Sequence, residues 1–140
     1  MSSWVVDAST ALSWCFAEGS APTPFGEITA TIPGIWPLEV ANGLLVGERR
    51  GRITRAQATR LIEALLAALE VHVDIAGDIF KDVLPLAREH GLSAYDAAYL
   101  ELAVRRGMPL ATADGKLAGA TRRCGVAVID GGQATSSGSQ

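Results

Sequence analysis

An α/β domain, with a central, mostly parallel sheet of four or five strands and helices on both faces, is the fold class the sequence predicts. Three observations carry that prediction. Short β-branched or apolar runs alternate with stretches of helical period, the pattern of βαβ units. Glycines stand where the helical patterns stop. The 140 residues, 49% hydrophobic and 19% charged, suit one domain with a substantial core and argue against disorder.

The elements follow in order. "SWVVDAS" opens as a β-branched strand, and "STALSWCFAEG" continues with Leu12 and Phe16 at helical spacing. Residues 20–34, "SAPTPFGEITATIPG", hold three prolines and read as irregular, with room for one short helix. "PLEVANGLLVGERRG" is a helix with Pro37 at its entry and Gly51 at its end. In "ITRAQATRLIEALLAALE", Thr54 and Gln57 make a capping box, and Leu61, Ile62, Leu65, Leu66 and Leu69 form an apolar stripe. These two helices should form a hairpin. "VHVDIAG" alternates like a strand, and "DIFKDVLPLAREHG" is a helix strained or kinked near Pro85. "LSAYDAAYLELAV" is a helix that ends at Gly107; "MPLATAD" is a buried strand, "GKLAGATRRCG" a short helix and "VAVID" a last strand. The tail "GGQATSSGSQ" is small, polar and expected to be mobile.

The composition excludes several functions. A net charge of −3 does not advertise nucleic-acid binding, though it allows a local site. "MSSWVVDAST" has no basic region before Asp7, so no signal peptide is expected. No uncharged apolar run approaches the roughly 18 residues that span a bilayer. The expected location is the cytoplasm, where Cys15 and Cys124 would be buried or incidental thiols. His72 and His90 form no ligand pair, so any metal would be held by oxygen.

Four carboxylates bear on that last point. In a parallel sheet, ligands bind outside the carboxyl ends of the strands. Asp7 closes the first strand and Asp114 closes "PLATAD". Glu39 and Asp96 lie in first helical turns, and whether they join the same edge depends on topology. Each has a plainer reading. Asp7 and Asp114 would cap the helices they precede; Glu39 and Asp96 would complement helix dipoles, with Ser93 and Asp96 forming a capping box. Yet all four stand in apolar surroundings, and only Asp114, with Lys116, has a cation within four residues. Four such carboxylates brought together would repel one another, and a hard divalent ion such as Mg²⁺ or Mn²⁺ would relieve the repulsion. That ion would lower the pKa of a bound water and offset charge on a phosphodiester.

The segments "VVDASTAL", "PLEVANGL", "SAYDAAYLELA" and "LATADGKLAGA" resemble, in order and spacing, the four acidic motifs of PIN-domain ribonucleases. The likeness covers about residues 4–131, and at this length it is most similar to the VapC toxins of type II toxin–antitoxin pairs. It implies a PIN-like nuclease domain over 1–131 and a flexible tail over 132–140. Asp7, Glu39, Asp96 and Asp114 match the metal-binding, catalytic acids, and Ser9 and Thr112 match supporting hydroxyl positions whose alternative is capping. It further implies an endoribonuclease using Mg²⁺ or Mn²⁺ on RNA, with tRNA or ribosomal RNA as substrates. A homodimer and a small cognate antitoxin complete the expectation, and the apolar surface of helices 37–50 and 55–70 also suggests a dimer.

Competing readings differ in what they need. A non-catalytic PIN-like module that binds RNA or protein would not need intact acids. A phosphoacceptor signalling domain wants an acidic pair after the first strand, where only Asp7 stands. No dinucleotide or P-loop glycine motif occurs. Arg49–Arg50, Arg105–Arg106 and Arg122–Arg123 precede helix-stopping glycines, the place for cations at a helix C-terminus. Lys116 is the candidate for a contact to substrate phosphate, against a plain surface lysine. Asp130 closes the last strand and reads as a turn acid. Trp4, Trp14, Phe16, Trp36 and Phe80 read as core; Tyr95 and Tyr99 read as packing before base stacking.

Overall fold

The computed structural model describes residues 2–16, 28–130 and 133–135. β1 (Ser2–Val6) leads into α1 (Ala8–Phe16); β2 (Ile28–Pro33) is followed by α2 (Trp36–Arg49) and α3 (Arg55–Ala68). β3 (Leu69–Asp74) then gives way to a π-helical turn at Ile79–Val83, α4 (Leu84–His90) and α5 (Ala94–Arg106). β4 (Leu110–Ala111), α6 (Gly115–Arg123), β5 (Val128–Asp130) and β6 (Gln133–Thr135) complete the order.

The sheet order is β3-β2-β1-β4-β5-β6. The first five strands are parallel and β6 pairs antiparallel with β5. From β1 the chain steps outward to β3, then returns past β1 to β4 and β5. Right-handed crossovers put helices of the two directions on opposite faces. α1, α2 and α3 accordingly touch one another, and α5 touches both α4 and α6. The core lies between these layers and includes Val5, Val6, Ile28, Ile32, Leu100, Leu102 and Leu110. No helix among the described residues is long and apolar enough to cross a membrane.

Some expectations needed correction. Ile28–Pro33 is a strand between β1 and β3, whereas 20–34 was expected to be irregular. Its "ITATI" is β-branched at every position but Ala30 and alternates apolar with polar, and Pro33 only ends it. The expected short helix there falls partly on 17–27, outside the described residues. The helix expected over 78–91 breaks at the π turn, and Pro85 sits in the first turn of α4, where its missing N–H costs nothing. Gln133–Thr135, within the expected tail, forms β6. Phe80 is 81% exposed rather than core, whereas Trp14 and Trp36 are buried and Trp4 and Phe16 pack against the core.

Thr54 and Gln57 form the expected capping box at α3, with both reciprocal bonds present. The stripe of α3 is only half buried: Leu65 and Leu69 are inside, while Ile62 and Leu66 are exposed. Between α1 and α2, Gly43 and Gly47 let the helices approach. A Cβ at Gly43 would fall 2.3 Å from the Leu12 Cδ1, and one at Gly47 would fall 2.9 Å from the Phe16 ring. The two helices therefore run side by side from the end of β1.

Candidate active site

β1 and β4 end together. The Asp7 N–H donates to the Ala111 carbonyl at 3.0 Å, so Asp7 and the turn 112–114 leave the sheet as neighbours. Asp7 is buried, and its Oδ1 accepts from the Ser9 hydroxyl and the Thr10 N–H, each at 2.8 Å. Ser9 also reaches across: its Oγ accepts from the Ala113 N–H at 3.2 Å. Thr112 Oγ1 accepts from the Asp114 N–H at 3.0 Å, and the Thr112 side chain helps favour the charged form of Asp7. The two hydroxyl residues thus hold the carboxylates. Asp114 is a true helix cap as well, its Oδ1 accepting from the N–H groups of Lys116 and Leu117.

The other two acids arrive from helix starts. α2 begins three residues after β2 ends, which puts Glu39 just past the carboxyl edge of the sheet. α5 packs across β1 and β2 with its first turn at the same edge. Its cap is Ser93, whose Oγ accepts from the Asp96 N–H at 3.0 Å. Asp7, Glu39, Asp96 and Asp114 line one cavity of ≈ 280 Å³, with Ser9, Asn42 and Tyr99 as the other polar lining. Among the described residues, no lysine or arginine lines it.

The electrostatics agree with that grouping. Burial raises the Asp96 pKa above its ordinary value, and the charges of Asp114, Asp7 and Glu39 push it the same way against a smaller opposing bond from Ser93. Burial also raises Asp7, against its bonds to Thr112, Thr10 and Ser9. Tyr99 is 1% exposed and its hydroxyl donates to Glu39 Oε1 at 2.6 Å. Burial first, then the Glu39 carboxylate, keeps that hydroxyl protonated far above its usual range.

Among the described residues the donor set fits a hard cation in kind: all oxygen, four acids, and no competing His or Cys in the lining. Among the described residues, no three or more His, Cys, Asp or Glu side chains are gathered tightly enough to hold an ion alone. Mg²⁺ does not require that, since it usually keeps several waters and binds through one or two carboxylates. The fit is therefore to a hydrated ion.

Of the lining residues, Asn42 went unread in the sequence and Tyr99 was read as packing, not as a partner of Glu39. Asn42 follows Glu39 by three residues and Tyr99 follows Asp96 by three, so each shares a helix face with its acid. That spacing was the available signal. Lys116 is exposed beside Gly91 and outside the cavity lining. Asp130 is exposed at the end of β5, also outside it.

The arginine pairs stand at the ends of their helices, as expected. Gly51, Gly107 and Gly125 all have positive φ, ending α2, α5 and α6. Arg105 and Arg106 both bridge to Asp74, at 2.9 and 2.7 Å. Hydrogen bonding from Arg105 leads the causes that hold the Asp74 carboxyl well below the usual range. A lowered folded pKa contributes stability above the ordinary carboxyl range, near 4, and that contribution fades as pH falls toward the folded value. Asp74→Asn is expected to melt lower than the parent at pH 7, with the gap narrowing steadily below about pH 4; thermal melts across pH check this.

No protein-family model matches the chain. Ribonuclease VapC3 of Pyrobaculum aerophilum is 41% identical over 83 residues, 57% of this chain and 62% of that protein. Exonuclease VapC9 of the same organism is 36% identical over 84 residues, 60% of this chain and 61% of that protein. The chain thus spans about three-fifths of the length of these two relatives. Ribonuclease VapC9 of Mycobacterium tuberculosis is 29% identical over 126 residues, 89% of this chain and 97% of that one. Among solved structures, PAE2754 from Pyrobaculum aerophilum superposes with a TM-score of 0.68 at 28% identity, covering 86% of this chain and 80% of that one.

Proposed function

The chain is a VapC-like PIN-domain protein, and from that premise we propose that it is a metal-dependent endoribonuclease acting as the toxin of a toxin–antitoxin pair. The observation that carries the proposal is the convergence of Asp7, Glu39, Asp96 and Asp114 on one cavity that, among the described residues, no lysine or arginine lines. A bound Mg²⁺ or Mn²⁺ would supply a water of lowered pKa and offset charge on the phosphodiester. The acids would hold that ion, directly or through its waters. Ser9 and Thr112 fix Asp7 and the turn of Asp114, so neither carboxylate must be ordered when substrate arrives. Tyr99 spends its one donor on Glu39 and leaves the other Glu39 oxygen for the cavity. Asn42 offers a neutral amide at the rim for a substrate oxygen or base edge.

The substrate is RNA, with tRNA and ribosomal RNA as the classes to test, and the place of action is the cytoplasm. Incubating the purified chain with labelled tRNA and ribosomal RNA fragments, with and without Mg²⁺, separates this reading from a binding module. Cleavage only with Mg²⁺ supports it; tight binding without cleavage in any divalent ion contradicts it.

Tyr99→Phe tests the positioning of Glu39. The ring volume is retained, so the fold should stand. Removing such an outer partner typically costs about 10–100-fold in metal affinity or activity. A calorimetric Mn²⁺ titration should show the loss directly, and unchanged Mn²⁺ affinity would refute the role.

The partners are a second copy of the chain and a small antitoxin. Leu38, Leu45, Ile75, Phe80 and Tyr95 are all exposed. A groove of ≈ 370 Å³ along α5 and a second beside Glu39 share Ile35 and Tyr95, which makes one continuous apolar surface at the site's edge. A monomer rarely leaves so much uncovered. Light scattering at high micromolar concentration should give twice the monomer mass of 14.6 kDa; a strictly monomeric protein would count against the dimer.

A further inference from the structure

We infer that the turn between α2 and α3 is a docking surface for the phosphodiester backbone of RNA flanking the cleaved bond, an inference that rests on RNA being the substrate. Residues 49–60, "RRGRITRAQATR", hold Arg49, Arg50, Arg52, Arg55 and Arg60 and no acid, in a chain whose net charge is −3 and whose Lys and Arg total 12. All five are exposed. None forms an ion pair with a described residue, in contrast to Arg105 and Arg106.

Helix stability does not account for the cluster. Arg49 and Arg50 suit the end of α2, but Arg55 is the first residue of α3, whose first turn carries no acid. A cation there opposes the helix dipole, at the position where Asp or Glu would stabilise. Local rules broken without compensation tend to mark functional positions. Arg52 lies over the Phe16 ring, 4.5 Å from its centroid, and shares with Arg60 and Gln57 the rim of a groove of ≈ 730 Å³. Arginines with an amide and a flat aromatic ring are the chemistry that meets phosphates and unstacked bases.

The path from the acids is continuous. α1 leaves Asp7 and α2 leaves Glu39, and the pair run together past Leu12 and Gly43 to Phe16 and Gly47. Leu12, Asn42 and Gly43 line the acid cavity, and Phe16 lines the arginine groove. Arg49 lies about 15 Å from Glu39 along α2. It is too far to meet the bond being cut, but at about 3.4 Å of rise per nucleotide the same strand arrives within roughly five steps. An acidic protein segment would also meet five arginines. The continuity with the acid cavity favours RNA.

The test uses the whole chain and a labelled 30-nucleotide single-stranded RNA of mixed sequence. Binding is followed by fluorescence anisotropy in Ca²⁺ across a range of KCl concentrations. Three phosphate contacts contribute about 2 to the slope of log affinity against log salt. Arg52→Gln/Arg55→Gln/Arg60→Gln should lower that slope by about 2 and the affinity at least about tenfold near 0.1 M salt. The corresponding triple Lys variant keeps the charge and should keep most of the binding. With Mg²⁺, cleavage of a four-nucleotide RNA should have the same kcat/KM in parent and Gln variant, because so short a strand does not reach the turn. An unchanged salt slope for the Gln variant overturns the inference. So does an oligo-glutamate peptide whose binding depends on the three arginines while RNA binding does not. If the parent cuts no RNA but the Gln variant loses RNA binding as stated, the proposed reaction fails and the docking surface stands.

Discussion

Asp96→Asn is expected to lower RNA cleavage by about two orders of magnitude or more while leaving the metal-free protein as stable as the parent, or more stable. The cap of α5 belongs to Ser93, which uses the backbone N–H of residue 96, and the substitution keeps that N–H. What it removes is a negative charge that Asp114, Asp7 and Glu39 disfavour in a partly buried place. The sign follows from linkage. The folded pKa of Asp96 is raised, so ionising it costs stability as pH rises above the ordinary carboxyl range near 4. The melting advantage of Asp96→Asn should therefore be larger at pH 7 than at pH 4. A residue that served only the helix dipole would behave oppositely, losing about 0.5–1 kcal/mol and little activity. Asp7→Asn should share the loss of cleavage. Its effect on stability is smaller in the favourable direction, because Asn keeps only part of the bonding from Ser9 and Thr10.

Removal of divalent ions is the second large effect. Chelation should abolish cleavage, Mg²⁺ or Mn²⁺ should restore it, and Ca²⁺ should restore little. Ca²⁺ takes more ligands at longer distances than the octahedral shell of the smaller ions. The ion should also stabilise the fold, since it binds the native cluster and relieves the repulsion that adds to burial in raising Asp96. Melting temperature should then rise with Mn²⁺ in the parent and much less in Asp96→Asn. Full activity in excess chelator would remove the ion from the account.

Asp7 and Asp114 were placed by a local rule, since Asp7 follows directly on β1, Asp114 closes the short turn after β4, and strand ends share an edge in a parallel sheet. Glu39 and Asp96 were not so placed. Their position depends on where α2 and α5 begin relative to β1, which is a property of the sheet order and not of any local pattern. β2 went unread because proline density outweighed the alternation of Ile28, Thr29, Ala30, Thr31 and Ile32, although Pro33 stands at the strand's end. Phe80 misled in the other direction: it and Ile79 lie on the exposed side of the π turn, while Val83 is the residue of that turn that enters the core. The Tyr99–Glu39 bond joins residues 60 positions apart, and only the packing of α5 against the sheet brings them together.

Incubation of a circular RNA with the purified chain in Mg²⁺, beside an identically prepared Asp96→Asn protein, tests the central claim most directly. A circle has no ends, so only an internal cut opens it. The account predicts linear product from the parent in Mg²⁺, none in chelator and almost none from Asp96→Asn. A circle that survives the parent in Mg²⁺, or that opens equally with the Asp96→Asn protein, would contradict the assignment of these four acids to a metal-dependent endoribonuclease.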